Sequence, residues 1–197
     1  MDFIIDMEMF FLNPCDFLFR RPFFQNFFPL HKTKDFQYEV KVQSESILNE
    51  ANEIFEAINL SSSTLLLYRQ LDNHLPREKQ RHIFLKLRIV SKIKRFYPEP
   101  VLKAFFNEDY TKIELSDIDI KESMVNLGYG SILLNGLIQI AKHRNVTFIS
   151  GWISEVDRNH IDRLVHFYEK HEFEVILHEE KNSAKIGSLL WSNDLIQ

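Results

Sequence analysis

Hydrophobic and polar positions follow their most regular pattern in the C-terminal half of the chain. Apolar residues at intervals of three and four predict helices over 130–144 and 159–171. Short runs of β-branched and other apolar residues predict strands over 111–120, 146–154, 173–179 and 185–191. This β-α-β-α-β-β order predicts an α/β fold of mixed α+β character, in which helices flank a central mixed β-sheet.

The pattern is less clear between residues 44 and 95. Apolar residues at helical spacing predict an amphipathic helix over 44–60, with Ser44 as its N-cap. Residues 63–71 form a short apolar run that fits either a strand or a helix. Residues 77–95 carry eight Lys or Arg against one Glu, and their central alternation of apolar and basic residues favours a strand without excluding a helix.

Phenylalanine is concentrated towards the N-terminus. Ten of the 18 phenylalanines lie in residues 1–36, where Pro14, Pro22 and Pro29 exclude a long helix. We interpret 1–36 as an extension whose rings pack on a domain formed by 37–197, because so many exposed rings would form an unusually large apolar surface, prone to association. A surface for a partner or a membrane, and a disordered upstream segment, stay open as alternatives.

The strand predicted over 111–120 contains an irregularity. Its apolar residues change from odd to even positions: Ile113, Leu115, Ile118 and Ile120. A regular strand keeps one parity on one face, so one extra residue near Ser116 or Asp117 would reconcile the two halves. The pattern therefore favours a β-bulge, which bends the strand and frees backbone groups beside a cleft. A regular strand buried on both faces is the alternative.

Two of the five glycines lie between this strand and the next helix, in the stretch "NLGYGSILL" of residues 126–134. Gly128 and Gly130 can adopt positive φ and allow a ligand close to the main chain. The first amides of the following helix are unsatisfied, so loop and helix together suit a phosphate or pyrophosphate. A tight turn without a ligand is the alternative. Ser131 and Leu133 exclude a Walker A loop and a dinucleotide fingerprint, which need Lys and Gly at these positions.

The pattern in residues 111–192 resembles the GNAT superfamily of acyl-CoA-dependent N-acetyltransferases. The stretch "GYGSILL" (128–134) is similar to the family's pyrophosphate loop and helix. The stretch "HFYEKHEFEV" (166–175) is similar to its "LYEK-x-GF" helix and the strand that follows. The irregular strand before the loop is a third shared feature. The resemblance implies a GNAT-like sheet and acetyl-CoA as co-substrate.

The resemblance also implies roles for individual residues. Backbone amides of the glycine loop would hold the pyrophosphate of CoA, namely those of Asn126, Leu127, Gly128, Tyr129, Gly130 and Ser131. The main chain of Ile118, Asp119 and Ile120 would pair with the pantetheine arm. Glu114, 11 residues before the first position of the loop motif, would act as general base, and Tyr168 would protonate the leaving thiolate. A solvated Glu114 and a core Tyr168 are the alternatives.

Three positions depart from the family pattern. Val125 stands where the loop usually has Gln or Arg, Glu172 replaces the glycine after the second helix, and Ile161 replaces an asparagine, with Asn159 two positions away. The helix end near Glu172 must therefore use a non-glycine residue in a less favourable geometry. These departures leave cofactor binding better supported than catalysis.

Other side chains in this region have weaker signals. His160, His166 and His171 lack the i, i+4 spacing of zinc ligands, so we predict no metal site and interpret them as surface histidines. Trp152 fits a buried core position better than the lining of an acceptor cleft.

Composition narrows the classes of function. A net charge of −4 favours neither nucleic acid nor an anionic membrane as a partner. Cys15 is the single cysteine, no apolar run is long enough to span a membrane, and the first residues are acidic where a signal peptide is basic, so we expect a cytoplasmic protein.

The resemblance implies an N-acetyltransferase that moves an acetyl group from acetyl-CoA to a small-molecule or protein amine. One alternative is a non-catalytic acyl-CoA-binding module of the same fold. A second is a nucleic-acid-associated protein that uses the basic run 77–95. The acceptor and the oligomeric state stay open, and a homodimer is one option.

Overall fold

The structure is a computed structural model that describes residues 36–91, 97–178 and 184–193. In this part of the chain three α-helices flank one eight-stranded sheet. The helices are α1 (Phe36–Asn49), α2 (Tyr129–His143) and α3 (Ile161–Glu169). The strands are β1 (Glu53–Asn59), β2 (Ser63–Gln70), β3 (His82–Ser91), β4 (Val101–Phe106), β5 (Lys112–Asp119), β6 (Phe148–Ser154), β7 (Glu174–Leu177) and β8 (Lys185–Ser192).

The sheet is mixed, with the strand order β1-β2-β3-β4-β5-β6-β8-β7. Strands β5 and β6 are parallel, and the other neighbouring pairs are antiparallel. A parallel pair needs a crossover connection, and α2 supplies it. The predicted α+β architecture and the β-α-β-α-β-β order of the C-terminal half are confirmed.

The predicted helix over 44–60 is wrong in its second half. Helix α1 ends at Asn49, and the chain continues as strand β1. The helix end is closed by hydrogen bonds from the amides of Ala51 and Asn52 back to Leu48 and Ile47, with Ala51 at a φ of 57°. The sequence misled because Ile54, Phe55 and Ile58 keep helical spacing along the chain. In β1 a bulge after Ile54 instead places Ile54 on the α1 side of the sheet and Phe55 and Ile58 on the α2 side.

Ser44 is also not the N-cap of this helix. It lies in the interior of α1, and its buried hydroxyl donates a hydrogen bond of 2.8 Å to the carbonyl of Val40. This bond satisfies the hydroxyl within the helix, so serine is tolerated there without starting it.

The two segments of uncertain type are strands. Residues 63–70 form β2 and residues 82–91 form β3, whereas β4 had no counterpart among the predicted elements. Several basic side chains of the run 77–95 are engaged inside the molecule. Arg77 pairs with Glu53, Arg88 pairs with Glu99 at 2.6 Å, and Arg81 donates to the carbonyl of Phe106.

The helices cover opposite faces of the sheet. The inner face of α2 packs on a core of strand residues that includes Leu85, Leu102 and Ile113. Helix α1 packs on the other face against a smaller cluster, formed by Val40, Ile47, Ile54, Leu66, Tyr68 and Val90. Helix α3 lies on the α2 side, because its side chains join the larger cluster.

The extension predicted over 1–36 lies almost wholly outside the described residues. Phe36 alone is described, as the first residue of α1, and it packs against the smaller cluster. The packing of the other phenylalanines stays a prediction.

The core under α2 should dominate the stability of the domain. Leu137 is fully buried, whereas Leu48 of α1 is 43% exposed. We expect Leu137→Ala to lower the free energy of unfolding by about 2–5 kcal/mol, because it leaves a cavity. The same change at Leu48 should cost about 0.5 kcal/mol or less. Urea unfolding of both variants measures the difference, and equal losses would contradict this packing.

Candidate functional site

The predicted bulge in β5 is present. Asp117 pairs with Lys103 of β4 and Leu115 pairs with Ala104, which leaves Ser116 without a partner position. Ile113 and Leu115 before the bulge, and Ile118 after it, all contact the core on the α2 side. The extra residue therefore reconciles the two parities, because it restores the buried face after the irregularity.

Strands β5 and β6 separate just before the bulge. Their parallel pairing runs from Lys112 with Phe148 to Leu115 with Gly151. After this point β5 continues to pair with β4, and β6 continues to pair with β8. In the described pairing, the two strand edges that face each other beyond Leu115 and Gly151 are therefore free of ladder hydrogen bonds. We call this opening the β5–β6 gap.

The pantetheine residues inferred from the resemblance lie along one side of this gap. Ile118 and Asp119 pair on their other side with Leu102 and Val101 of β4. Ile120 follows directly after the end of β5, and its side chain is half-buried against the core. The main chain of this segment therefore has one edge used by β4 and one edge facing the gap.

The glycine loop lies between β5 and α2. A 3₁₀ turn over Glu122–Met124, anchored by the buried side chain of Met124, leads into it. Gly128 is the N-cap of α2 and has a φ of +82°, which L residues with a side chain rarely adopt. Asn126 also has a positive φ of 65°, and asparagine tolerates this region better than most residues.

The first amides of α2 are not used by the helix. Its first hydrogen bond runs from the amide of Ile132 to the carbonyl of Gly128. The amides of Tyr129, Gly130 and Ser131 precede that bond, and a glycine cap has no side chain to accept from them. Such amides attract an anion, and the helix dipole adds to the attraction.

Gly130 brings this loop close to the gap. A Cβ atom built there would lie 3.3 Å from Cδ1 of Ile120 and 3.4 Å from the ring of Phe167. The glycine therefore allows the start of α2 to pack tightly between the end of β5 and α3. The loop, the gap and α3 thus meet at one place.

Tyr168 lies on α3, next to the Phe167 that packs on the glycine loop. Its ring contacts Phe167 edge-on, with centroids 5.1 Å apart, and lies 5.7 Å from the ring of Phe173. Burial raises the pKa of Tyr168 above its usual range, and the negative charges of Asp157 and Asp117 raise it further. The phenol is therefore protonated at neutral pH.

Glu114 lies on β5 with an exposed side chain. Its neighbours Ile113 and Leu115 point to the α2 side, so Glu114 points to the opposite face. Its partners in the sheet are Phe105 of β4 and Ser150 of β6. Glu114 and Tyr168 therefore flank the sheet from opposite faces, and their catalytic roles stay predictions.

Trp152 is not the buried core residue that the sequence favoured. Its side chain is 46% exposed, on the face of β6 that also carries Ser150. The sequence could not decide this, because strand alternation assigns two faces but does not say which one a helix covers.

His171 was interpreted as a surface histidine, and that interpretation is wrong. Only 9% of its surface is exposed, and its ring lies 3.0 Å from both Ser131 and Asn135 of α2. Histidines 160 and 166, by contrast, are exposed. No signal in the sequence pointed to His171, because its partners are 36 and 40 residues away.

The end of α3 has the strained geometry that the sequence predicted. Glu172 has a φ of 66°. The amide of Glu172 bonds to the carbonyl of Glu169, and that of Phe173 bonds to the carbonyl of Tyr168. This bonding forms a Schellman motif, in which glycine is the preferred residue at the left-handed position.

Within residues 36–91, 97–178 and 184–193, His, Cys, Asp and Glu form no group of three that could hold a metal ion. In the same ranges, no helix is long and apolar enough to cross a membrane.

Comparison with known proteins agrees with this geometry. Residues 93–173 match the acetyltransferase (GNAT) family. This segment contains β4, β5, the glycine loop, α2, β6 and α3. Residues 93–173 are therefore a domain of the GNAT acetyltransferase family.

One curated relative matches part of the chain. It is the uncharacterized protein YocC of Bacillus subtilis (strain 168), which is 44% identical over 90 residues. The match covers 46% of this chain and 50% of YocC, so the chain spans about half the length of that relative.

Solved structures with a similar fold are distant in sequence. The IAA acetyltransferase of Bacillus cereus ATCC 14579 is 12% identical, with a TM-score of 0.46 over 66% of this chain and 99% of that chain. A GNAT family acetyltransferase of Elizabethkingia anophelis, solved with acetyl-CoA bound, is 11% identical, with a TM-score of 0.45 over 66% and 98%. The family assignment rests on the sequence match of residues 93–173.

The Schellman motif generates a testable prediction. Glu172→Gly should raise the free energy of unfolding by about 0.5–1 kcal/mol, because glycine adopts positive φ without steric cost. The same substitution at Glu169, inside α3, should lower it by a similar amount. Thermal unfolding of both variants provides the measurement, and a loss of stability in Glu172→Gly would contradict the strained helix end.

Proposed function

We propose that this chain is an N-acetyltransferase that transfers an acetyl group from acetyl-CoA to an amine by direct attack. The β5–β6 gap, with the glycine loop at the start of α2 beside it, carries this proposal. It lies within the segment that matches the GNAT family. The acceptor is a small molecule or a protein with a free amine. The single cysteine favours a cytoplasmic location.

The residues present fit acetyl-CoA. The free amides at Tyr129, Gly130 and Ser131, with those of the loop from Asn126 onward, would bind the pyrophosphate. The main chain of Ile118, Asp119 and Ile120 would bind the pantetheine arm along the open edge of β5. This arrangement would place the thioester near the bulge at Ser116.

The chemical step needs a neutral amine, a polarised thioester and a proton for the thiolate. Glu114, directly or through water, would take the proton of the acceptor ammonium. The amine nitrogen then bonds to the acetyl carbon, and backbone N–H groups freed at the bulge would stabilise the negative charge on its oxygen. As the carbon–sulfur bond breaks, Tyr168 would donate its proton to the sulfur.

A non-catalytic acyl-CoA-binding module remains the second candidate. The departures from the family pattern at Val125, Ile161 and Glu172 favour it, because they leave cofactor binding better supported than catalysis. Such a module would bind acetyl-CoA but would show no turnover with a panel of amines. The third candidate, a nucleic-acid-binding protein, is disfavoured because Arg77 and Arg88 of the basic run are paired with Glu53 and Glu99.

Acetyl-CoA should raise the melting temperature, because a ligand that binds only the folded state stabilises it. Gly128→Val and Gly130→Val should abolish this shift. The first forces valine to a positive φ, and the second places methyl groups against Ile120 and Phe167. Gel filtration of the variants checks that they fold. Normal binding in both folded variants would show that the loop is not the pyrophosphate site.

A change of charge tests the same loop without strain. Leu127 is 57% exposed, so both polar substitutions should fold. Leu127→Asp should weaken CoA binding by about fivefold, because a carboxylate near the pyrophosphate costs about 1 kcal/mol. Leu127→Asn has the same shape without the charge and should bind almost as the parent protein does. Calorimetric titration with CoA compares the two, and equal affinities would argue against a nearby pyrophosphate.

Catalytic roles can be separated from binding. Once an amine panel has identified an acceptor, Tyr168→Phe and Glu114→Gln should lower kcat by about 10²–10⁴-fold, with CoA affinity nearly unchanged. The defect of Glu114→Gln should shrink as pH rises, because more acceptor amine is already neutral.

A matched control supports this comparison. Tyr110→Phe removes a hydroxyl at the β4–β5 turn, where the ring packs on Phe106, and should keep full activity. Unchanged kcat in both Tyr168→Phe and Glu114→Gln would refute these two roles while leaving the cofactor site in place.

A further inference from the structure

His171 connects the end of α3 to the start of α2. One ring nitrogen, Nδ1, lies 3.0 Å from Oδ1 of Asn135, and the other, Nε2, lies 3.0 Å from Oγ of Ser131. The ring of Phe167 packs against the imidazole edge-on, with centroids 5.2 Å apart. The imidazole is therefore fixed on three sides, and one of its partners belongs to the glycine loop.

The partners determine where the protons lie. The amide oxygen of Asn135 can only accept, so Nδ1–H of His171 donates to it. In the neutral ring Nε2 then has no proton and accepts the hydrogen bond of the Ser131 hydroxyl. The hydroxyl proton is thus directed at His171, and the lone pairs of Oγ remain for other contacts.

This arrangement is unfavourable for an anion beside Ser131. Lone pairs of Oγ would repel phosphate oxygens, and a hydroxyl turned towards the phosphate would leave the buried Nε2 without a partner. Protonation of His171 removes the conflict. Nε2–H then donates to Oγ of Ser131, the Ser131 hydroxyl donates to the phosphate, and Asn135 still accepts from Nδ1–H.

We propose that His171 is a positioning residue of the cofactor loop, which takes up a proton when pyrophosphate binds and thereby turns the Ser131 hydroxyl towards the phosphate. The inference rests on the proposed function, because it requires the pyrophosphate to bind at the start of α2. The one bond that forms is the N–H bond at Nε2 of His171, and its proton comes from solvent.

The charges around His171 set the direction of the pH dependence. Burial lowers the pKa of His171, Lys170 lowers it further, and Glu172 acts in the opposite direction. The contacts from α2 are with uncharged residues, Ser131 and Asn135. The ligand-free ring is therefore neutral near pH 7, and an anion that is bound nearby raises its pKa.

The rise in the pKa of His171 on binding determines how affinity changes with pH. Below the pKa of the free protein His171 is protonated with or without ligand, so affinity is highest and constant. This additional affinity is lost as pH rises from the pKa of His171 in the free protein through its higher pKa in the complex. Each unit of difference between the two pKa values changes affinity tenfold.

Isothermal titration with dephospho-CoA, which keeps the pyrophosphate but lacks the titrating 3′-phosphate, tests the proposal. Titrations at pH 6 and pH 8, in buffers of different ionisation enthalpy, count the protons that are taken up. The parent protein should bind about three- to tenfold more tightly at pH 6 and should take up a fraction of a proton there. At pH 8 it should take up almost none.

Three variants separate positioning from packing. His171→Gln has an amide that can accept from Ser131 or donate to it but does not titrate, so it should bind without proton uptake and without pH dependence. Ser131→Ala should reduce both effects, because the hydroxyl is gone. Asn135→Asp, at an exposed site, places a carboxylate on Nδ1–H and should move the rise in affinity to higher pH.

The outcomes distinguish the two proposals. The role of His171 is overturned if the parent protein binds dephospho-CoA without taking up a proton. It is also overturned if His171→Gln takes up as much proton as the parent protein does. Both outcomes leave the cofactor site intact. If the parent protein binds neither CoA nor dephospho-CoA, at pH 6 or at pH 8, the proposed function is overturned, and this inference with it.

Discussion

The parallel pairing of β5 with β6 is the constraint on which the site depends. Parallel neighbours cannot be joined by a tight turn, so the chain must cross over the sheet, and α2 makes this crossing. The start of α2 is thereby placed at the end of β5 where the pairing with β6 stops. A helix N-terminus, with its free amides, and a gap with unpaired strand edges therefore lie side by side.

Local irregularities then shape this arrangement. The bulge at Ser116 bends β5 as it leaves β6, and the positive φ of Gly128 turns the chain into α2. Gly130 lets the helix start approach Ile120 and Phe167, which a larger residue would prevent. Each irregularity costs some local stability, and the buried core between α2 and the sheet offsets that cost.

The contact between α3 and α2 adds a second layer to the site. The Schellman motif at Glu172 ends α3 so that His171 faces back towards Ser131 and Asn135, while Tyr168 remains beside Phe173. One helix end therefore contributes a candidate proton donor and a candidate positioning residue. The departure from glycine at position 172 is accommodated without loss of that geometry.

The sequence by itself determined the elements of the C-terminal half, the bulge near Ser116 and the glycine loop. These features depend on local periodicity, strand parity and backbone freedom, which are properties of short segments. It misjudged residues 53–59, whose apolar residues have helical spacing although they form a bulged strand, and it did not identify β4. Only the tertiary structure decided that Trp152 is exposed, that Glu114 and Tyr168 lie on opposite sides of the sheet, and that His171 meets Ser131. These facts depend on which faces pack together over separations of tens of residues, and no local pattern encodes that choice.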